Sequence, residues 1–408
     1  MTIHLQNSSI KPITQIAITG SKSEANRLLI LQALYPNIEI ENLSNSDDSQ
    51  LMQKALASDD ELIDIHHAGT AMRFLTAYFS VQLGRQTIIM GSKRMKERPI
   101  GILVDALNSL GADISYLENE GFPPLKITGK KLTQNKVTLK ANVSSQYISA
   151  LLLIASSIEN GLELTLDGKI TSVPYIKMTL SLLDQIGVEN SFKRNVITVK
   201  PKTETVKSQV LVVESDWSSA SYFYSIVALS EIGTQIELSS YKKDSLQGDS
   251  VLAEIYSQFG VETTYSESKI KLSKSSIVNR QSKINLDLSN APDIAQTISV
   301  TAFGLGLACH LTGLHTLKIK ETDRLLALQN EMTKLGANIS VTNDALTLES
   351  SDTISPEIEI ETYKDHRMAM AFAPLALRTS ILIKEADVVS KSYPDFWKDL
   401  KHIGFQIK

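Results

Sequence analysis

A single cysteine, Cys309, stands in a chain of 408 residues. One thiol excludes an intrachain disulfide and any cysteine-based metal cluster, and it suits a reducing compartment. Long apolar runs are missing too. The least charged stretch, Ile294 to Cys309, is interrupted by Gln296, Ser299, Thr301 and two glycines, and it falls short of the ~20 apolar residues that a membrane span needs. Residues Met1 to Gly20 lack the apolar centre of a signal peptide, so a cytoplasmic protein is expected. The seven histidines show no metal-ligand spacing, and no glycine-rich nucleotide loop ending in Gly-Lys-Ser or Gly-Lys-Thr is present. There is no surplus of positive charge. With 41 basic against 45 acidic residues the net charge is −4, which disfavours nucleic acid or an acidic membrane as partner. Any anion binding must be local.

What the chain does contain is a repeat. An amphipathic run closes on an apolar residue and Gly, and a short alternating segment follows. The junctions are Leu110-Gly111-Ala112-Asp113, Ile186-Gly187-Val188-Glu189, Phe259-Gly260-Val261-Glu262, Leu335-Gly336-Ala337-Asn338 and Ile403-Gly404-Phe405-Gln406, with glycines 76, 73, 76 and 68 residues apart. Glycine at such a place ends a helix in the left-handed conformation, and period-two alternation, as in Ile339-Ser340-Val341-Thr342, reads as a returning strand. A degenerate unit in the first seventy residues, its helix ending near Leu34, would make six copies. The spacing is too long for a solenoid and predicts an α/β fold of repeated subdomains.

Cations and small hydroxyls recur at the predicted helix starts. Ser21-Lys22-Ser23-Glu24 has the form of a capping box, and Ser23 and Arg27 share a face of the helix that follows. Gly69-Thr70 opens a second helix and Ser144-Ser145-Gln146 a third. Asp293, Lys320 to Arg324, and Asp365-His366-Arg367 open three more, and Lys391-Ser392-Tyr393-Pro394 precedes the last. In Arg94-Met95-Lys96-Glu97-Arg98-Pro99, alternate cations would share one face if the segment were extended, and Pro99 fits the first position of a helix closing at Gly111. A Lys or Arg in a first turn opposes the helix dipole at a cost of ~0.3–1 kcal/mol. Lys22, Arg98, Lys320, Arg324 and Arg367 all break that rule, and an anionic ligand would repair it.

Read together, Gly20-Ser21-Lys22-Ser23 with Asn26-Arg27, Ala68-Gly69-Thr70-Ala71-Met72-Arg73, Arg94 to Pro99, Ser144-Ser145-Gln146, Lys320 to Arg324 and Asp365 to Ala369 resemble the enolpyruvyl transferase family, from Gly20 to Asp395 in the family's order. The resemblance implies two similar domains, each of three βαβαββ repeats, with a cleft between them that the helix N-termini face. Residues 1–20 plus 215–408 would form domain one, and 21–214 domain two. The implied reaction moves the enolpyruvyl group of phosphoenolpyruvate to the 5-hydroxyl of shikimate 3-phosphate, releasing phosphate. It uses no metal or cofactor, and the enzyme would act as a monomer on small molecules, with no nucleic acid or membrane partner.

By matching motif, Lys22, Ser23, Arg27, Ser144, Ser145, Gln146, Ser172, Tyr175, Asp293 and Lys320 would hold shikimate 3-phosphate. Lys22, Gly69, Arg98, Gln146, Arg324, Arg367 and Lys391 would hold phosphoenolpyruvate. Both ligands are phosphorylated carboxylates, which suits arginine forks and lysine point charges. Asp293 would be the base for the hydroxyl, and Glu321 with Lys22 the acid, their roles being exchangeable. Gly69 leaves room for mimics of phosphoenolpyruvate, so sensitivity to glyphosate is expected. Thr316, His67, Phe74 and Val173 depart from the family pattern, Thr316 standing where an Asn contacts the shikimate ring. Two alternatives stay open: the sister branch acting on UDP-N-acetylglucosamine, and a catalytically silent anion-binding homologue. Members of the sister branch usually carry a loop cysteine (in some, an aspartate), whereas Cys309 lies in an apolar run.

Overall fold

The computed structural model describes residues 1–141, 144–168, 170, 173–202, 204–277 and 283–408. The chain divides into two compact units, one of Met1–Thr19 with Glu214–Lys408, the other of Gly20–Val213.

One sheet pattern recurs in both. In the unit Gly20–Val213, strand Leu62–Asp64 runs parallel to Gln86–Met90, which pairs antiparallel with Leu125–Thr128, itself antiparallel to Asp113–Tyr116. Lys136–Lys140, Leu162–Asp167, Val196–Val199 and Asn190–Lys193 repeat that order. The third copy keeps only the parallel pair Ile38–Glu41 with Gln209–Val212. In the other unit the order holds for Ile13–Ile16, Gln235–Ser239, Lys269–Lys274 and Val261–Ser266, and again for Lys283–Asp287, Ala308–Thr312, Leu346–Leu348 and Ile339–Val341. Ile358–Ile360, Ile381–Ile383 and Ile3–Leu5 form the last, which the bridge from Leu5 to Ile407 completes. These are the repeated α/β subdomains that the glycine spacing predicts, in the βαβαββ form that the family resemblance implies.

Each repeat places its first helix inside. Gly69–Ser80, Ser145–Ile154, Trp217–Leu229 and Ala295–Gly304 are buried almost all round, as helices without a polar face must be. Within each unit these central helices pack on one another. The strands lie outside and alternate, Leu162, Leu164 and Leu166 being buried between less buried Glu163, Thr165 and Asp167. Sheets around helices give the inside-out α/β barrel. Cys309 is fully buried on one of these strands, where burial pushes its thiol up to about 12. No helix among the described residues is long and apolar enough to cross a membrane.

Two local expectations change. The segment from Arg94 is not extended, because Met95–Glu97 is a 3-10 turn in which Arg94 pairs with Glu97 and Lys96 with Glu118. Nearby acids thus take up Arg94 and Lys96. Pro99 also precedes the helix, which begins at Gly101. The amide groups of Ile100 and Gly101 both donate to the Gly121 carbonyl, so that helix entrance is already satisfied.

The five junction glycines all have positive φ, from 75° at Gly260 to 127° at Gly404. At Gly336 (φ 98°) the nearest atom to an added Cβ would be Ser355 Oγ at 3.6 Å, so space is no obstacle and the backbone conformation alone resists a side chain. Gly336→Ala is therefore expected to lower unfolding free energy by ~1–2 kcal/mol, read as a drop of a few degrees in Tm.

Candidate active site

The repeat brings helix starts together, and with them the residues picked out by motif. In the unit Gly20–Val213, Lys22 begins the helix Lys22–Leu34 and reaches Asp48 at 3.8 Å. Ser21 stands at the N-cap but its side chain makes no cap bond, so the predicted capping box does not form. No side chain caps Gly69–Ser80 either. Both helix starts thus keep the dipole and first-turn amides that attract anions. Ser144 caps the helix Ser145–Ile154 by accepting from Gln146 N, and Gln146 Nε2 donates to Thr70 Oγ1 at 3.1 Å. Arg98 lies against Gly69 so closely that a Cβ there would sit 2.3 Å from its Nη1. Glycine at 69 is what admits that guanidinium.

Arg27, expected by motif to hold shikimate 3-phosphate, has its guanidinium turned to protein groups. It is 3 % exposed and donates to Thr179 Oγ1 (2.8 Å), Ser149 Oγ (2.9 Å) and the Ser23 carbonyl (2.7 Å). Phe74, one of the departures from the family pattern, sets its ring 5.3 Å from the guanidinium, and Tyr175 sets its own at 5.9 Å. Burial among these mostly uncharged groups pulls the Arg27 pKa down to about 10. Ser172 lies outside the described residues.

The other unit concentrates charge. Asp293 precedes the helix Ala295–Gly304 and accepts from Arg324 Nη1 at 2.8 Å, with Lys320 and Arg367 both at 3.4 Å. Arg324 also donates to Asp365 (2.6 Å) and Glu321 (2.8 Å), and Lys391 donates to Glu321 at 2.9 Å. Asp365 caps the helix His366–Phe372 by accepting from Arg367 N. Every cation in this cluster thus has a carboxylate within 4 Å. Burial alone would raise the Asp293 carboxyl, but Lys320, Arg367 and Arg324 outweigh it and hold the group well below the usual carboxylate range. Burial would likewise lower Arg324, yet Asp365, Glu321 and Asp293 hold it above its ordinary value.

A family profile for EPSP synthase (3-phosphoshikimate 1-carboxyvinyltransferase) matches residues 53–400. The chain is 48% identical over 398 residues to a 3-phosphoshikimate 1-carboxyvinyltransferase of Bacteroides fragilis, covering 96% of each chain. The chain belongs to the EPSP synthase family. A Haemophilus influenzae relative of the same name is 34% identical, covering 98% of this chain and 99% of its own. An EPSP synthase structure from Acinetobacter baumannii superposes with a TM-score of 0.82 over 100% of this chain and 99% of its own, at 20% identity. An enolpyruvyl transferase from Streptomyces tendae gives 0.76 at 13% identity, over 100% and 98%. These two structures speak for the fold alone. Membership makes the chain an enzyme, a carboxyvinyl transferase of the shikimate branch, and sets the UDP-N-acetylglucosamine branch aside.

Three residues of the two clusters escape motif reading. Asp48 stands in the first turn of the helix Asp47–Ala57, beside Lys22. Ser218 Oγ accepts from Arg367 Nη2 at 3.2 Å and donates to Asp249 Oδ2. Ser218 and Asp249 both fall at helix starts, so extending the repeat to its every junction would have found them. Burial, opposed by Arg367 and reinforced by Asp293, pushes the Asp249 carboxyl up to about 6. Between its unfolded value near 3.8 and 6 the folded state holds the extra proton, so stability falls as pH rises through that window, by up to about 3 kcal/mol at 1.36 kcal/mol per pKa unit. Asp249→Asn is expected to raise Tm at pH 8, by an amount that shrinks toward zero as calorimetry is repeated down to pH 4.

Proposed function

We propose that the two clusters divide the chemistry of one transfer reaction: the enolpyruvyl group of phosphoenolpyruvate passes to the 5-hydroxyl of shikimate 3-phosphate and phosphate leaves. The observation that carries this reading is Asp293, a buried carboxylate in contact with Lys320, Arg324 and Arg367. Such a carboxylate is a poor base while its three cations are undivided. An arriving phosphate or carboxylate competes for those cations, and the proton affinity of Asp293 rises as they turn to the ligand. The base is strengthened when substrate is present.

In this reading Arg324, Arg367 and Lys391 take phosphoenolpyruvate, joined by Lys22, Gly69, Arg98 and Gln146. Shikimate 3-phosphate is held by Lys22, Ser23, Ser144, Ser145, Gln146, Ser172 and Tyr175, with Asp293 and Lys320, while Arg27 fixes from behind the helices that carry several of them. Asp293 removes the proton of the 5-hydroxyl as its oxygen bonds to C2 of phosphoenolpyruvate, and Glu321, with Lys22, delivers a proton to the C3 methylene. Loss of a proton from the new methyl group and departure of phosphate from C2 restore the double bond. Glu321 is oriented for this by Lys391 and Arg324. The single buried thiol suits an enzyme of the cytoplasm.

Phosphate release from phosphoenolpyruvate is the direct test. Release is expected with shikimate 3-phosphate as acceptor and not with UDP-N-acetylglucosamine; turnover with only the sugar nucleotide would overturn the reading. Asp293→Asn keeps the side chain's size while removing its basicity, and kcat is expected to fall by about 10²–10⁴-fold. Unchanged kcat in that variant would remove Asp293 from the base role.

A further inference from the structure

Residues Thr362 to Asp365 form a tight turn closed by the Asp365 amide, which donates to the Thr362 carbonyl at 2.8 Å. Its two central residues, Tyr363 and Lys364, have φ of 54° and 56°. Positive φ at both positions is the mirror-image turn that usually takes Asn and Gly. Two adjacent bulky residues persist in that region only where the surroundings hold them.

One helix supplies the hold at both ends. Glu331, fully buried on Arg324–Lys334, accepts from Tyr363 Oη at 2.7 Å, from Glu361 N at 3.0 Å and from Lys334 Nζ at 2.6 Å. Seven residues earlier, two turns along the same helix, Arg324 Nε donates to Asp365 Oδ2 at 2.6 Å. The strained pair lies between these two attachments. Just past it, Asp365 both orients Arg324 and caps the helix that carries Arg367.

We propose that Tyr363 is a positioning residue whose hydroxyl, anchored on Glu331, holds the left-handed turn that sets Asp365 and, through it, the guanidinium groups of Arg324 and Arg367. Without that bond the turn relaxes toward negative φ and Asp365 shifts along its link to Arg324. The substrate named in the test rests on the reading above, in which those arginines hold phosphoenolpyruvate. Removing the phenol oxygen leaves Glu331 with Lys334 and the Glu361 amide, so Tyr363→Phe has no cause to unfold the chain.

The experiment compares KM for each substrate, kcat and Tm in the full-length wild type, Arg324→Lys, Tyr363→Phe, Lys364→Gly and the Tyr363→Phe/Lys364→Gly double variant. Tyr363→Phe is expected to raise KM for phosphoenolpyruvate about tenfold, the scale of one hydrogen bond to a charged group, with KM for shikimate 3-phosphate nearly unchanged. Lys364→Gly alone stays near wild type. In the double variant glycine accepts positive φ without strain, so the turn keeps its shape and most of the KM is recovered. A loss of Tm with both KM values unchanged, an equal rise in both, or no recovery with glycine would each overturn the proposal. If Arg324→Lys moves KM for shikimate 3-phosphate instead, the substrate assignment fails separately. Tyr363→Phe must then follow Arg324→Lys to that substrate, and failure to follow overturns the positioning role.

Discussion

Arg324 is the constraint on which the charged cluster depends. Its guanidinium is 2 % exposed and binds Asp365, Asp293 and Glu321 at once. Two of those carboxylates stand at the starts of other helices, so one planar fork fixes the mutual placement of three helices from two repeats. A lysine has no comparable geometry, because a point charge cannot meet three acceptors in fixed directions. Taking Arg324 away would leave buried carboxylates short of a counter-charge, a situation that costs about 3–5 kcal/mol where it has been measured. In the proposed reading the same bonds that hold the cluster are the ones an anionic substrate rearranges.

Arg27 plays the corresponding part in the other unit with opposite electrostatics. It too is buried and joins several helices, but its hydrogen bonds go to hydroxyls and carbonyls. Burial then lowers its pKa, whereas the carboxylates around Arg324 raise that of their partner. A guanidinium held by neutral groups keeps its positive field for a ligand, and so does the helix start at Gly69, which no side chain caps. A cluster already matched by carboxylates keeps acid–base groups in place. The two units thus differ in what they can offer: one a standing attraction for anions, the other a set of titratable groups whose strength depends on occupancy.

Much of this was legible in the chain. The glycines at 111, 187, 260, 336 and 404 mark helix ends because each needs positive φ, a requirement local enough to read from sequence. The six-fold repeat follows from their spacing, and the helix starts at Lys22, Gly69, Ser145, Arg324 and His366 follow from the patterns around them. What failed to show depends on distant residues. The 3-10 turn at Met95 and the late helix start at Gly101 are set by Glu118 and Gly121, twenty or more residues away. Asp48, Ser218 and Asp249 carry no motif; a place at a helix start is their sequence signal, and the fold is what sets them beside Lys22 and Arg367.

Cations at helix starts oppose the dipole, and a ligand looked like the natural remedy. The structure supplies another one. Lys22 has Asp48, Arg324 has Asp365, Asp293 and Glu321, and Arg367 has Asp293, so these charges are compensated before any ligand arrives. Compensation of this kind sets a threshold for binding. A neutral or weakly charged molecule gains too little from the arginines to displace carboxylates already hydrogen-bonded to them, whereas a phosphate or carboxylate offers an equal or greater charge with matching bidentate geometry. Selectivity for strongly anionic substrates then follows from the competition itself. In the proposed reading Asp293, released by that competition from Lys320, Arg367 and Arg324, loses the charges that hold its carboxyl low.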